Sequence, residues 1–381
     1  MKRAYSVCLL ALALAACASR PPKADVPPGA VAASKHGHHG HKTAPAEAVP
    51  ETPQAQPPVD LAPVPFAQAR AAFVRDTAAR YGIDPDVIEA TLARAQVLDS
   101  VIAAMSRPAE RVKPWSEYRP MFITQARIDG GRRFMDAHRD ALMRVQASTG
   151  VPAEVIVAII GVETSYGANT GRYKVLDALY TLAFNYPRSG DPAKAEREMR
   201  RELFFRDELA QLFALGKEEG FDVSTLTGSY AGAMGLGQFM PSSYRQYAVD
   251  GDGDGKRNLF TDHDDAFASI ANYFVKKGGW QAGGEVVARA RLDDGREEFN
   301  PADWTPTWTL GDLARRGYHA TDPVQASARA TPVTLDGSDG KQYWLGFRNF
   351  YAITRYNNSK MYAMAVYQLS QAIAGKEIPA A

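Results

Sequence analysis

The sequence predicts a mainly α protein with a small β-rich insertion, and three observations carry that prediction. Apolar residues recur at helical spacing through most of the chain from Phe66 onward, cap residues stand where those runs begin, and one interval, residues 280–347, abandons the spacing. In YGIDPDVIEATLARA, Asp84 is placed to cap a helix that opens on Pro85, with Val87, Ile88 and Leu92 on one buried face. Further helices are expected over residues 121–147, 152–163, 173–184, 194–215 and 264–277. The last is expected in SKMYAMAVYQLSQAIA, capped by Ser359, with Tyr362, Val366, Leu369 and Ile373 on one stripe. Residues 280–347 are rich in Gly, Asp, Pro and Thr and hold short β-leaning runs such as EVVARARL and QYWLGF.

The N-terminus reads differently. Lys2 and Arg3, an apolar run from Val7 to Leu14 and then Ala15-Ala16-Cys17 have the layout of a secretory signal over residues 1–16, too short to span a bilayer. Leu14-Ala15-Ala16-Cys17 also resembles a bacterial lipobox, which implies lipidation of Cys17; the plain alternative is an ordinary cleaved signal. Cys8 would leave with the signal, so no disulfide framework is expected. Ala18 after the cysteine resembles the bacterial sorting pattern for the outer membrane, so the expected location is its periplasmic face. Residues 17–65 are rich in Pro and Ala and poor in aromatics, a composition that reads as a tether. Within it, HGHHGH (His36 to His41) could bind a soft divalent metal, although nothing nearby completes a site.

With 45 % hydrophobic and 23 % charged residues, the 381-residue chain can bury a sizeable core. A formal charge of +1 supplies no global field for nucleic acid, and none is expected as a partner. A monomer is expected.

The stretch VPAEVIVAIIGVETSYGANTG carries the candidate chemistry. Val155, Ile156, Val157, Ala158, Ile159, Ile160 and Val162 leave no polar face, so the helix should be surrounded by protein. Glu163 stands at its C-terminal end, where the helix dipole and apolar walls both push a carboxyl pKa upward. Such a group suits a general acid for an acetal oxygen. It equally suits a carboxylate that caps backbone or meets an Arg at a helix junction. A glycosidase usually needs a second carboxylate, and Thr-Ser-Tyr-Gly-Ala-Asn follows without one. That points to chemistry in which a group of the sugar replaces it.

GVETSYG, then GSYAGAMGLGQFMPSSYRQYAVDGDGDG, then ANYF, then RYNNSKMYAMAV occur in the order of the membrane-bound lytic murein transglycosylase B family, glycoside hydrolase family 103, which residues 66–375 resemble. The resemblance implies a lysozyme-like helical core that cleaves the β-1,4 bond between N-acetylmuramic acid and N-acetylglucosamine in peptidoglycan, leaving a 1,6-anhydromuramoyl end. It places Glu163 as the single acid and base and implies no cofactor for the chemistry. Ser229, Tyr230 and Gln238 match the family's cleft positions, as do Tyr273, Tyr356, Asn357 and Tyr362. Read from the residues alone, Phe239 and Met240 offer a wall for a sugar face, while Tyr273 and Tyr362 fit core stripes equally well. Arg188 in NYPRSG matches the start of a family arginine pair, and the stretch SGDPAKAEREM after it departs from the family. The alternatives are a hydrolytic muramidase and a non-catalytic peptidoglycan-binding lipoprotein.

In DGDGDGKRN, Asp250, Asp252 and Asp254 take the first, third and fifth places of an EF-hand-like loop, with Gly255 sixth and Lys256 seventh. The twelfth place is Thr261, not Glu. The family resemblance implies a longer loop, over about 250–265, closed by a later carboxylate, Asp264 or Asp265, of which Asp264 completes the expected set. The expected occupant is structural Ca²⁺, against a solvated acidic turn.

Overall fold

The computed structural model describes residues 60–61, 64–106 and 113–379. The signal, Cys17, HGHHGH and most of the tether lie outside them. Among the described residues helices dominate, with one small sheet, and the expected elements are present. Pro85–Leu92 is capped by Asp84, whose side chain accepts from Asp86 N–H, and Lys360–Ile373 is capped by Ser359, which accepts from Tyr362 N–H. Tyr362, Val366, Leu369 and Ile373 are buried as their stripe predicts, whereas Val87 is solvent-exposed beside buried Ile88 and Leu92.

The expected helix over 121–147 is two helices, Gln125–Ala137 and Arg139–Thr149. His138 leaves the helical region at φ −119°, and its ring stacks on His263 with centroids 4.2 Å apart, so a tertiary contact overrides a continuous local pattern. Arg119–Met121 is a tight turn instead, and Thr124 caps the helix that follows. SGDPAKAEREM is mostly helix: only Ser189–Asp191 is loop, and the rest opens the helix Pro192–Glu219. Arg188 pairs with Glu202 of that helix.

The β-rich insertion forms a five-stranded antiparallel sheet in the order Trp308–Thr309, Arg329–Gly337, Gly340–Gly346, Val287–Leu292, Tyr318–Ala320. Its two faces divide between two cores. Val333, Leu335 and Trp344 join the main helical core, while Ala330 and Leu345 turn to a smaller one around Leu313, Tyr318 and Phe347. That alternation is the period of two expected of a sheet covered on both sides.

The helix Ala153–Thr164 is the axis of the main core. Its residues from Val155 to Thr164 are all buried. It packs against Lys360–Ile373, Gln125–Ala137, Arg139–Thr149 and His263–Tyr273. Gly161 interrupts the apolar run for a steric reason: a Cβ there would lie 2.7 Å from ring atoms of Tyr166, which folds back over the helix and donates its hydroxyl to Arg127 O at 2.8 Å.

Candidate active site

Glu163 is 6 % exposed at the last turn of this helix. The chain turns there through two consecutive left-handed residues, Ser165 at φ 51° and Tyr166 at φ 62°, neither of them glycine. L-residues with side chains adopt this conformation at a cost that the surrounding packing must overcome, and such positions concentrate at functional sites. Thr164 fixes the turn. Its hydroxyl is shared between Ile160 O at 3.0 Å and Leu236 O at 3.1 Å, and it accepts from Gly167 N–H.

Burial pushes the Glu163 carboxyl up to about 7, against a hydrogen bond from Tyr362 that favours the ionised form. That bond runs from Tyr362 Oη–H to Glu163 Oε1 at 2.6 Å, across 199 residues of sequence. Tyr118 and Tyr356 also feel the Glu163 charge, and burial together with that charge raises both phenols, so they stay protonated donors. The ionisable groups coupled to Glu163 are thus three tyrosines, and among the described residues no carboxyl is one of them.

The segment from Ser229 to Met240 is held against this corner. Met234 and Phe239 exchange backbone hydrogen bonds, Leu236 N–H bonds Leu259 O, and Tyr356 donates to Gly237 O at 2.5 Å. Gln238 is the third non-glycine residue with positive φ, at 53°. Its amide donates to Gly235 O at 2.9 Å and Thr170 O at 3.1 Å, which aims the side chain across the loop after Glu163. Position 235 requires glycine on two counts: its φ is 74°, and a Cβ would lie 2.5 Å from Leu259 O.

The expected cleft residues divide into two groups. Glu163, Tyr356, Tyr362 and Gln238 meet at the corner just described. Ser229 works locally, its Oγ accepting from Ala231 and Ala233 N–H, and Tyr230 is half-buried beside it. Asn357 is half-buried at the turn between the last two helices. Tyr273 is buried and donates to Arg355 O at 2.7 Å, so its hydroxyl faces protein, as a core stripe predicts. Phe239 is only 3 % exposed and meets Tyr273 and Tyr356 edge to ring, so little of its ring is open to a ligand; Met240 is buried too. Tyr118 and Thr164 were missed. Tyr118 lies in the aromatic-dense WSEYRPMF, the one signal that could have pointed to it.

In the acidic loop, oxygens of Asp250, Asp252 and Asp254 lie within 4.8 Å of one another. Asp250 accepts from Gly253 and Gly255 N–H, which hold its pKa below the usual carboxylate range. A compact set of hard oxygen donors on a loop with Gly at the sixth place fits Ca²⁺. The two candidates for the closing residue, Asp264 and Asp265, stand differently. Asp264 turns away to pair with Arg144 at 2.7 Å, whereas buried Asp265 accepts from Gly251 and Asn258 N–H, both at 2.6 Å, and ties the two ends of the loop together. Consecutive residues on the helix His263–Tyr273 point about 100° apart, so only one of them can face the loop.

A separate cavity of about 350 Å³ lies at the opposite end of the helix Ala153–Thr164, lined by Glu154, Trp280, Glu285, Asp322 and Tyr367 among others. It contains none of the residues around Glu163.

Residues 65–371 match the protein family described as "Transglycosylase SLT domain". The chain is 42 % identical over 311 residues to the membrane-bound lytic murein transglycosylase B of Escherichia coli (strain K12), a match covering 79 % of this chain and 81 % of that protein. Among solved structures it is similar to the lytic transglycosylase SltB1 from Pseudomonas aeruginosa, with TM-score 0.72 and 46 % identity over 80 % of this chain and 96 % of that one. It is also similar to the Escherichia coli lytic transglycosylase Slt35 in complex with calcium, with TM-score 0.70 and 40 % identity over 80 % of this chain and 92 % of that one. These likenesses show the helical, lysozyme-like fold class expected from the sequence.

Proposed function

The chain belongs to the transglycosylase SLT domain family and is a lytic transglycosylase acting on peptidoglycan; on that premise we propose that Glu163 serves as both its acid and its base. One observation supports this reading above the others. Glu163 is a buried carboxyl raised to about 7, held at one oxygen by Tyr362, with phenols and, among the described residues, no second carboxyl acting on it. In its protonated form it delivers the proton to the glycosidic oxygen between N-acetylmuramic acid and N-acetylglucosamine. The muramoyl N-acetyl group stabilises the oxocarbenium-like centre that forms as the C1–O bond breaks. The Glu163 carboxylate then takes the proton of the C6 hydroxyl, whose oxygen bonds to C1. The nucleophile belongs to the substrate, so positioning replaces an activated water, and no cofactor enters. Gln238 and the carbonyls of Leu236 and Gly237 provide the polar edge beside Glu163 for hydroxyl and acetamido groups.

The Escherichia coli relative is described as membrane-bound. In this chain that role falls to lipidated Cys17 at the periplasmic face of the outer membrane, with residues 17–65 as tether and 66–381 as the catalytic region. Among the described residues no single helix is long and apolar enough to cross a membrane. The acidic loop holds Ca²⁺ through Asp250, Asp252, Asp254 and the Lys256 carbonyl, as a structural ion.

Mass spectrometry of muropeptides released from purified sacculi tests the reaction. The expected products end in 1,6-anhydromuramic acid, one water lighter than hydrolytic ends. Reducing muramic acid ends would establish the muramidase reading in its place.

A further inference from the structure

A second buried carboxylate does no work in the reaction just described. Glu208, on the long helix Pro192–Glu219, is 2 % exposed, and both its oxygens face one residue. Oε2 accepts from Ser242 N–H at 2.9 Å and Oε1 from Ser242 Oγ–H at 2.5 Å. Ser242 is the second residue of the helix Pro241–Tyr247, whose first-turn N–H groups have no partner within the helix. That helix continues directly from the segment that flanks Glu163. The segment is pinned at its middle by Thr164 on Leu236 O and Tyr356 on Gly237 O, and at its exit by Glu208. Between the two pins stand only Gln238, with its left-handed backbone, then Phe239, Met240 and the ring of Pro241, so little slack separates them.

We propose that Glu208 is a positioning residue for the glycan-binding segment: by holding Ser242, its carboxylate fixes where Gln238 and the Leu236 and Gly237 carbonyls stand beside Glu163. The inference rests on the glycan reading of that segment. Burial pushes the Glu208 carboxyl up to about 7, opposed by the two Ser242 hydrogen bonds and aided by the charge of Asp207. The other charged groups on the packed elements are engaged elsewhere. Asp207 pairs with Arg80 of the helix Phe66–Tyr81, Arg245 of the facing helix pairs with Glu218, and Asp177 of the helix Val175–Phe184 accepts from Gln96 N–H. A carboxylate makes charge-assisted hydrogen bonds roughly twice as strong as neutral ones. The pin therefore slackens as pH falls through about 7, and Glu208→Gln fixes the slacker, neutral pairing at every pH.

The test compares the full chain with Glu208→Gln, and with Ser242→Ala, which removes the hydroxyl donor alone, at pH 5 and pH 8. Two quantities are read: hydrogen-exchange protection factors of amides in residues 234–242, and KM for soluble peptidoglycan glycan strands. Wild-type protection is expected to fall about fivefold from pH 8 to pH 5, the size of a lost charge-assisted increment, while KM is compared between wild type and variants at pH 8, because Glu163 titrates over the same interval. Glu208→Gln shows the low protection at either pH and a KM about fivefold above wild type at pH 8; Ser242→Ala, which keeps the backbone N–H bond to Oε2, falls between the two at pH 8. Wild-type protection that does not change with pH, or variants that match wild type at pH 8, would overturn the proposal. Protection that shifts while KM stays constant overturns it as well, because the segment's placement would not matter to glycan. Should the wild type fail to turn over the strands at all, the glycan reading fails while the protection factors still decide whether Glu208 pins the segment.

Discussion

The corner around Glu163 and the loop around Asp250 use the same functional group in opposite surroundings. Glu163 loses water to apolar walls and gains a single phenol donor, so its proton affinity rises to about 7. Asp250 stays exposed and gains two backbone N–H donors, so its proton affinity falls. Both are legible as chemistry: one carboxyl is kept as a proton store, the other as a permanent anion ready for a cation. What separates them is the balance of desolvation against hydrogen bonding to the charged form.

The largest expected effect breaks the comparison on the buried side. Glu163→Gln keeps the shape and removes the titrating proton, and the release of muropeptides from purified murein is expected to fall by about a thousandfold, within the range for loss of a general acid and base. Equal degradation by the two proteins would remove Glu163 from the reaction. The same substitution sharpens the comparison through stability. A carboxyl raised in the folded state favours folding most below its unfolded pKa, and that contribution is lost as pH rises from 4.5 to about 7. Relative to wild type, Glu163→Gln is therefore expected to be more stable at pH 8, by about 3 kcal/mol for a shift of this size, with the gain vanishing by pH 4. Urea unfolding at the two pH values checks the sign.

Gly161→Ala tests whether the wall that dries Glu163 has room to give. The added Cβ would meet the Tyr166 ring at 2.7 Å, and overpacking of this kind costs about 1–3 kcal/mol. A drop in the urea midpoint together with reduced turnover is expected; a neutral result would show that Tyr166 does not brace the turn. The smallest effect lies on the exposed side. At tenfold over its dissociation constant, Ca²⁺ is expected to stabilise the chain by about 1.4 kcal/mol, read as a Tm shift of about 3 °C that Asp250→Asn abolishes. A Tm indifferent to Ca²⁺ and to chelator would make the loop a solvated turn.

The difference between the two regions also explains what the sequence could show. The Glu163 helix was legible because an unbroken apolar run is a local signal, and burial of its terminal carboxyl follows from that run alone. The EF-hand-like half of the loop was legible for the same reason, since Asp250, Asp252, Asp254 and Gly255 are adjacent. Its closure was not: the spacing beyond Asn258 admits Asp264 and Asp265 alike, and only the rotation of one residue along a helix decides which faces the loop. The roles of Tyr118 and Thr164 were hard to read because Glu163 and Leu236, which they reach, lie 45 and 72 residues away. Phe239 reads either way from the sequence, because an aromatic beside a glycine-rich turn serves a core as readily as a sugar; in the fold it packs against Tyr273 and Tyr356. The His138 break falls in the same class, a contact with His263 overriding a helical pattern.

The central claim is that burial, with no partner charge, sets the proton on Glu163. A difference infrared titration, wild type minus Glu163→Gln, isolates this one carboxyl from Glu208. A protonated carboxyl band present at pH 6 and lost with a midpoint near 7 is the expected result; a midpoint near the ordinary 4.5 would contradict the account.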